Sequence, residues 1–241
     1  MPNYPAGVRP TTAPKEFPVA EVFGPTVQGE GQMIGRRAWF VRTAGCDSRC
    51  PWCDTQYAQT VDAGTVMTAR EVVDRLRELG ASWEIDSPRP TVVLTGGNPC
   101  VHDLGELCRR IRQELHGDVV VETQGTALPQ WTDWISHLVL SPKRHLMSHS
   151  CSWEHLFNFT RAVLSHETKV VVFDDEDYAF ARAANERLPG PMTIQIGSVD
   201  GEPQRMAYWL ERFATDLTWA HSDVRILPQL HVLAWGNERG R

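Results

Sequence analysis

Three cysteines, Cys46, Cys50 and Cys53, fall within eight residues, separated first by three residues and then by two. Thiols held this close by the chain are placed to share one ligand. A structural zinc ion takes four protein ligands, usually completed by a second Cys or His pair at a fixed offset, and no such pair stands near Ala44-Gly45-Cys46-Asp47-Ser48-Arg49-Cys50-Pro51-Trp52-Cys53-Asp54-Thr55. An iron–sulfur cubane fits the stretch better. Thiolates are its usual ligands, and three of them on a cluster of four irons leave one iron open. An open iron is a reaction site, and the rest of the chain has to fold around it.

The 241 residues, 41% of them hydrophobic, suffice for one substantial core, so a single domain is the default. A net charge of −6 and no window dense in Lys and Arg argue against a nucleic-acid footprint and for a small substrate. Residues 1–16 are rich in Pro and small polar side chains and read as a flexible arm, neither a secretory signal nor a membrane span, which leaves residues 17–241 as the domain. Of the six cysteines three are clustered, which favours a reducing, cytoplasmic compartment over a disulfide framework, and for the same reason Asn158-Phe159-Thr160 is discounted as a glycosylation acceptor.

Along the chain, Glu21 to Gly31 contains three glycines and a proline and is expected to be irregular, with Gln28 and Glu30 free to face a ligand. A strand follows at Arg37 to Arg42, with Ala38, Phe40 and Arg42 on one face and Trp39 and Val41 on the other. Thr68-Ala69-Arg70-Glu71 is a capping box, and Val72, Val73, Leu76 and Leu79 continue at helical spacing to a stop at Gly80. Strands and helices then alternate. Strands are expected at Thr91–Thr95, Val119–Glu122, Leu138–Ser141, Lys169–Phe173, Met192–Ile196 and Val224–Leu227. Helices are expected at Asp103–Leu115, Trp153–Leu164, Glu176–Leu188 and Glu202–Phe213, with a short helical stretch around Trp131. The runs Val92-Val93-Leu94, Val119-Val120-Val121 and Val170-Val171-Val172 suit parallel strands covered on both faces, so function belongs at their C-terminal ends. Polar segments follow several of the strands: Thr95-Gly96-Gly97-Asn98-Pro99, Glu122-Thr123-Gln124-Gly125-Thr126 and Ser141-Pro142-Lys143.

Cys-x3-Cys-x2-Cys with Trp52 just before its last cysteine resembles the cluster loop of the radical S-adenosylmethionine superfamily, and Thr95 to Pro99 resembles that superfamily's Gly-Gly-Glu strand end with Asn98 in place of Glu. The ordered set of Phe23 to Gly31, Phe40 to Cys46, Cys50 to Thr55, Glu122 to Thr126, Leu140 to Lys143 and, more thinly, Leu227 to His231 is similar to the 7-carboxy-7-deazaguanine synthase family. The resemblance implies an incomplete (β/α) barrel of parallel strands, an α/β fold. Its cofactors would be a [4Fe-4S] cluster on Cys46, Cys50 and Cys53, S-adenosylmethionine and a magnesium ion on Thr55. It implies substrate contacts from Val27, Gln28, Gly29, Arg42 and Thr95, and cofactor contacts from Gly97, Asn98, Ser141, Pro142 and Lys143. The implied reaction contracts the ring of 6-carboxy-5,6,7,8-tetrahydropterin with loss of ammonia, by a radical enzyme, in 7-deazapurine biosynthesis. The implied partners are a flavodoxin- or ferredoxin-like reductant and a second copy of the chain.

Two other readings stay open: a radical enzyme that activates a partner protein, and a metal-binding module without turnover. Cys108 sits on the apolar face of its helix and belongs to the core, while Cys100 and Cys151 are expected to be partly exposed. His102, His145, His149 and His155 are scattered and read as surface or loop histidines, and the tail from Trp235 to Arg241 differs from the proline-ended tail of some relatives.

Overall fold

The computed structural model describes residues 15–147, 150–197, 203–236 and 238–240. Most of the expected arm, residues 1–14, therefore lies outside the described residues, as does His149. At the edge of that arm, Lys15 pairs with Asp103 and Glu16 opens the first strand opposite Thr68.

In chain order the elements are β1 (Glu16–Val27), β2 (Arg37–Thr43), β3 (Thr65–Thr68), α1 (Ala69–Glu78), β4 (Thr91–Gly96), α2 (Gly105–Glu114), β5 (Asp118–Thr123) and β6 (His137–Leu140). They continue with α3 (Trp153–Arg161), β7 (His166–Val172), α4 (Asp175–Arg187), β8 (Met192–Ile196), α5 (Pro203–Thr215), β9 (Val224–Pro228) and α6 (Leu230–Trp235). The strands form one sheet in the order β3-β1-β2-β4-β5-β6-β7-β8-β9. From β2 to β9 every neighbour is parallel, and β1 is antiparallel to both β2 and β3. Among the described residues β3 and β9 are the edges of the sheet, which is not closed, so the barrel is incomplete, as expected.

Local rules account for much of this order. The Thr68 hydroxyl accepts from the Glu71 N–H, and the Glu71 carboxylate accepts from the Thr68 N–H, which starts α1 where the sequence places it. Where Glu21 to Gly31 is expected to be irregular, the strand runs on to Val27. Two register shifts against β2 absorb the difficult residues, one of them spanning Gly24 and Pro25 between Phe23 and Thr26. Gly24 has φ +123, and a Cβ there would stand 2.9 Å from the Trp39 Cα, so the bulge needs a glycine. β3 and α6 have no counterpart in the sequence reading.

Strand alternation sorts the side chains into two layers. Trp39, Val41, Val92, Leu94, Val119, Val121, Leu138 and Leu140 face the helices in the main core. Ala38, Phe40, Val93, Val120 and Val139 form a smaller inner cluster with Phe23, which stacks on Phe40 at 5.0 Å. Continuing each inner row by two residues reaches Arg42, Thr95, Glu122 and Ser141. The apolar inner face thus turns polar at the carboxyl ends of the parallel strands.

Candidate active site

Those polar row ends line a cavity of about 520 Å³, together with Cys46, Cys50 and Cys53, Val27, Gln28, Gly29, Thr55, Gly97 and Lys143. The three cysteines are free and half-buried. Their loop is pinned by backbone hydrogen bonds, from Gly45 N–H to the Ala58 carbonyl at 2.9 Å and from Cys46 N–H to the Gln59 carbonyl at 3.0 Å. The loop's Asp47 carboxylate accepts from Asn98 Nδ2 at 3.0 Å, Gln124 Nε2 at 2.6 Å and Thr126 Oγ1 at 2.5 Å, tying it to the ends of β4 and β5. A Cβ on Gly97 would fall 2.1 Å from the Gly45 carbonyl oxygen, so only glycine lets β4 approach the loop this closely.

Each cysteine sulfur has a polar neighbour. Gln124 Nε2 lies 3.6 Å from Cys46 Sγ, Ser48 Oγ 3.4 Å from Cys50 Sγ, and Thr55 Oγ1 3.6 Å from Cys53 Sγ. Burial pushes the Cys46 thiol up, and the nearby Asp47 charge adds to this against the Ser48 N–H and Gln124 donors. Such a thiol is poorly ionised alone, and binding a metal centre would drive off its proton.

Opposite the cysteines, charges from distant parts of the chain meet. Lys169 on β7 bonds Glu30 and stands 3.7 Å from Glu122, which accepts from Gln28 Nε2 at 2.9 Å and from Thr95 Oγ1 at 3.3 Å. Gln229 Nε2 donates to Glu30 at 2.6 Å. Burial alone would raise the Glu30 carboxyl, but Lys169, His231 and Gln229 outweigh it and hold the group at about 2. Burial would also depress the Lys169 ammonium, yet Glu122 and Glu30 raise it above the usual lysine range. Lys143, which donates to Ser141 Oγ at 3.0 Å, is lowered by burial and by the charge of Lys169.

On the β1–β2 side, Arg42 Nε donates to Glu21 at 2.7 Å and its guanidinium lies over Phe23 and Tyr57. Tyr57 bonds the same carboxylate and is raised to about 12, by burial first and by Glu21 against the opposing Arg42 charge. Arg239 covers Tyr57 at 3.8 Å, so the C-terminal tail reaches the cavity. Beside the cysteines, Thr55 Oγ1 lies 3.2 Å from Asp54 Oδ1, and ligand atoms of Asp54, Glu30 and His231 lie within 4.8 Å of one another.

Residues 40–142 match the Radical SAM superfamily. The 7-carboxy-7-deazaguanine synthase of Bacillus subtilis (strain 168) is 34% identical over an alignment covering 94% of this chain and 99% of its own length. This chain belongs to the 7-carboxy-7-deazaguanine synthase family. The family's protein from Pyrobaculum aerophilum is 31% identical over 92% of this chain and 96% of its own. The crystal structure of QueE from Escherichia coli has the same fold, with a TM-score of 0.69 over 90% of this chain and 95% of that one at 22% identity. As radical SAM proteins, members of the family use a [4Fe-4S] cluster and S-adenosylmethionine.

The residues present fit those groups. Three free, half-buried thiols, each beside a side-chain polar group, open on a cavity with Gly97 at its wall. Of the residues that the family resemblance assigns, Val27, Gln28, Gly29, Arg42, Thr55, Thr95, Gly97, Ser141 and Lys143 line this cavity with the cysteines. Asn98 and Pro142 do not. Asn98 is fully buried, and its amide is consumed by Asp47, Thr126, the Thr123 hydroxyl at 2.8 Å and the Cys100 N–H at 3.2 Å. It anchors the cysteine loop and has no oxygen left for an ammonium. Cys100, expected to be partly exposed, is buried, and burial raises its thiol to about 12.

The sequence reading gave no role to Lys169, Asp54, Tyr57 or Arg239, which are brought in from separate segments. Glu122 and Gln124 were visible only as members of a strand-end motif. His145 is an exposed residue of a short turn, as expected, and its ring also sits against Cys50, Ser48 and Trp52.

Proposed function

We propose that this chain converts 6-carboxy-5,6,7,8-tetrahydropterin to 7-carboxy-7-deazaguanine with loss of ammonia, as a radical S-adenosylmethionine lyase. The observation that carries this reading is the convergence of Cys46, Cys50 and Cys53 with Gln28, Arg42, Thr95 and Glu122 on one cavity of about 520 Å³. That volume suits a cofactor and a small substrate, and it disfavours a partner protein as the target.

The cluster and S-adenosylmethionine, when bound, supply the radical that starts the reaction. The protein supplies position and electrostatics. Gln28 and Thr95, both bonded to Glu122, present a fixed polar edge to a planar heterocycle. Arg42 offers a guanidinium suited to the substrate carboxylate. Gly97, Ser141 and Lys143 line the cofactor side. Thr55, with Asp54 beside it, provides hard oxygen donors for a magnesium ion shared with the substrate. The inner apolar row, Phe23 to Val139, keeps bulk water from the strand side of the cavity.

The reading includes a low-potential flavodoxin- or ferredoxin-like electron carrier, a homodimer and a cytoplasmic location. In accord with the last, no helix among the described residues is long and apolar enough to cross a membrane.

The decisive experiment is anaerobic turnover of the carboxylated tetrahydropterin with reconstituted protein, followed by mass spectrometry. Formation of the 7-deazaguanine acid, and about four irons per chain, are expected. Cys46→Ala, Cys50→Ala and Cys53→Ala should each lose cluster and cofactor cleavage, while Cys100→Ala, Cys108→Ala and Cys151→Ala keep the iron. A zinc protein with one metal per chain and no turnover would support the non-catalytic module instead.

A further inference from the structure

Cys50 is met from two directions. Ser48 Oγ lies 3.4 Å from its sulfur, and His145 Nε2 lies 3.6 Å from the same sulfur and 3.4 Å from Ser48 Oγ, closing a triangle. Ser48 belongs to the cysteine loop and is itself buried, whereas His145 comes from the single helical turn Arg144–Leu146 that follows β6 and Lys143. The imidazole stands edge-on to Trp52 with ring centroids 5.2 Å apart, and Trp52 packs on Phe173 at 5.8 Å. The ring is therefore seated on the loop that carries the sulfur it approaches.

The polar neighbours of the other two sulfurs have other partners as well. Gln124 holds Asp47 at 2.6 Å, and Thr55 bonds Asp54. The described contacts of His145 are with Ser48, Cys50 and Trp52 on the cysteine side of the cavity, and the reaction as derived above gives it nothing to do.

We infer that His145 and Ser48 donate N–H···S and O–H···S hydrogen bonds to the Cys50 thiolate of the bound cluster and thereby raise its reduction potential. This rests on the reading of Cys46, Cys50 and Cys53 as cluster ligands. Adding one electron from the external carrier increases the negative charge on the cluster sulfurs. A hydrogen bond to a sulfur then favours the reduced form over the oxidised one, as hydrogen bonding around such clusters does generally. No bond is made or broken at His145 and no proton leaves it, so it is a positioning residue for the electron.

The test uses the full chain, reconstituted anaerobically, with the iron count and the EPR signal of the reduced cluster followed in a redox titration. His145→Phe keeps an aromatic ring against Trp52 and removes the donor. It should retain all the iron of the wild type while its ratio of reduced to oxidised cluster at fixed potential falls about three- to tenfold, a midpoint lower by about 30–60 mV. His145→Gln, which restores an N–H, should recover at least about half of that shift. Ser48→Ala should lower the midpoint in the same direction. Histidine labelled with ¹⁵N should show a weak coupling to the reduced wild-type cluster that vanishes in His145→Phe.

An unchanged midpoint in an iron-replete His145→Phe protein overturns the inference. So does a strong coupling of the kind a directly ligated nitrogen gives. If the variants cannot hold iron, the labelled wild type decides alone, since absence of the coupling there also overturns it. Failure of the wild type to bind iron would instead remove the cluster reading itself.

Discussion

Arg42 Nε donates to Glu21 Oε1 at 2.7 Å, so the arginine proposed for the substrate already has one carboxylate partner. Only one of its five N–H bonds is used by that contact, and Glu21 also takes the Tyr57 hydroxyl, so the pair aims the guanidinium from β2 into the cavity. Arg42→Ala is expected to raise KM for the tetrahydropterin far more than it affects the cofactor. The loss of a charged hydrogen bond at a desolvated site corresponds to about 2–5 kcal/mol, or roughly thirty-fold to several thousand-fold. Cleavage of S-adenosylmethionine in the absence of substrate should persist. If Arg42 serves only the fold, Arg42→Ala and Glu21→Gln will lower the melting temperature alike while substrate KM stays at the wild-type value.

Two glycines in the cavity wall predict different failures. A Cβ on Gly97 meets the backbone of Gly45 and, at 2.9 Å, the Ala58 carbonyl, both part of the support of the cysteine loop. A Cβ on Gly29 meets the His231 ring, 2.2 Å from Nδ1. Gly97→Ala should therefore reduce iron content and stability together, whereas Gly29→Ala should keep the iron and weaken substrate binding by displacing His231. Iron assays and substrate titration separate the two, and equal iron loss in both variants would contradict the placement of Gly29.

The contrast between these sites and others explains what the sequence makes legible. Doubly covered strands must be apolar at every position, so Val92-Val93-Leu94 and Val119-Val120-Val121 announce parallel strands. Ligand chemistry likewise fixes the spacing of Cys46, Cys50 and Cys53. β1 was hidden because Gly24 and Pro25 look like breakers, and the bulge that tolerates them depends on Trp39 of the neighbouring strand. The setting of Asn98 is hidden in the sequence for a similar reason. The groups that consume its amide come from residues 47, 100, 123 and 126, and no local pattern joins them. The same is true of Lys169 and Glu30, which lie 139 residues apart in the chain.

That pair makes stability depend on acid pH. Glu30 is held at about 2 in the folded protein, below its ordinary value of 4.5. A depressed folded value means that the stabilisation is fully present above the ordinary value and is lost as pH falls from about 4.5 toward 2. Glu30→Gln should abolish this part of the decline. At neutral pH it should cost stability toward the low end of the about 3–5 kcal/mol typical of broken buried pairs, because Lys169 retains Glu122 at 3.7 Å. Denaturation of both proteins across that pH range gives the difference directly. Parallel curves would show that Glu30 carries its proton normally and that the Lys169 contact does not control it.

Magnesium dependence follows from the groups around Thr55. Its hydroxyl is two residues past Cys53 and lies 3.6 Å from that sulfur, close to the cysteine loop without being a thiol ligand. Asp54, Glu30 and His231 bring ligand atoms within 4.8 Å of one another on the same side of the cavity, but Glu30 is already paired with Lys169. The hard donors left for an ion shared with the substrate are thus Thr55 and Asp54. Magnesium should stimulate turnover. Thr55→Ala and Asp54→Asn should each raise the magnesium concentration needed for half-maximal rate by about 10–100-fold, with iron content and substrate-free cofactor cleavage intact. Turnover of the wild type that is equal with magnesium and with a chelator would remove the ion from this site. A response confined to Asp54→Asn would move the ion away from Thr55 and toward Glu30 and His231.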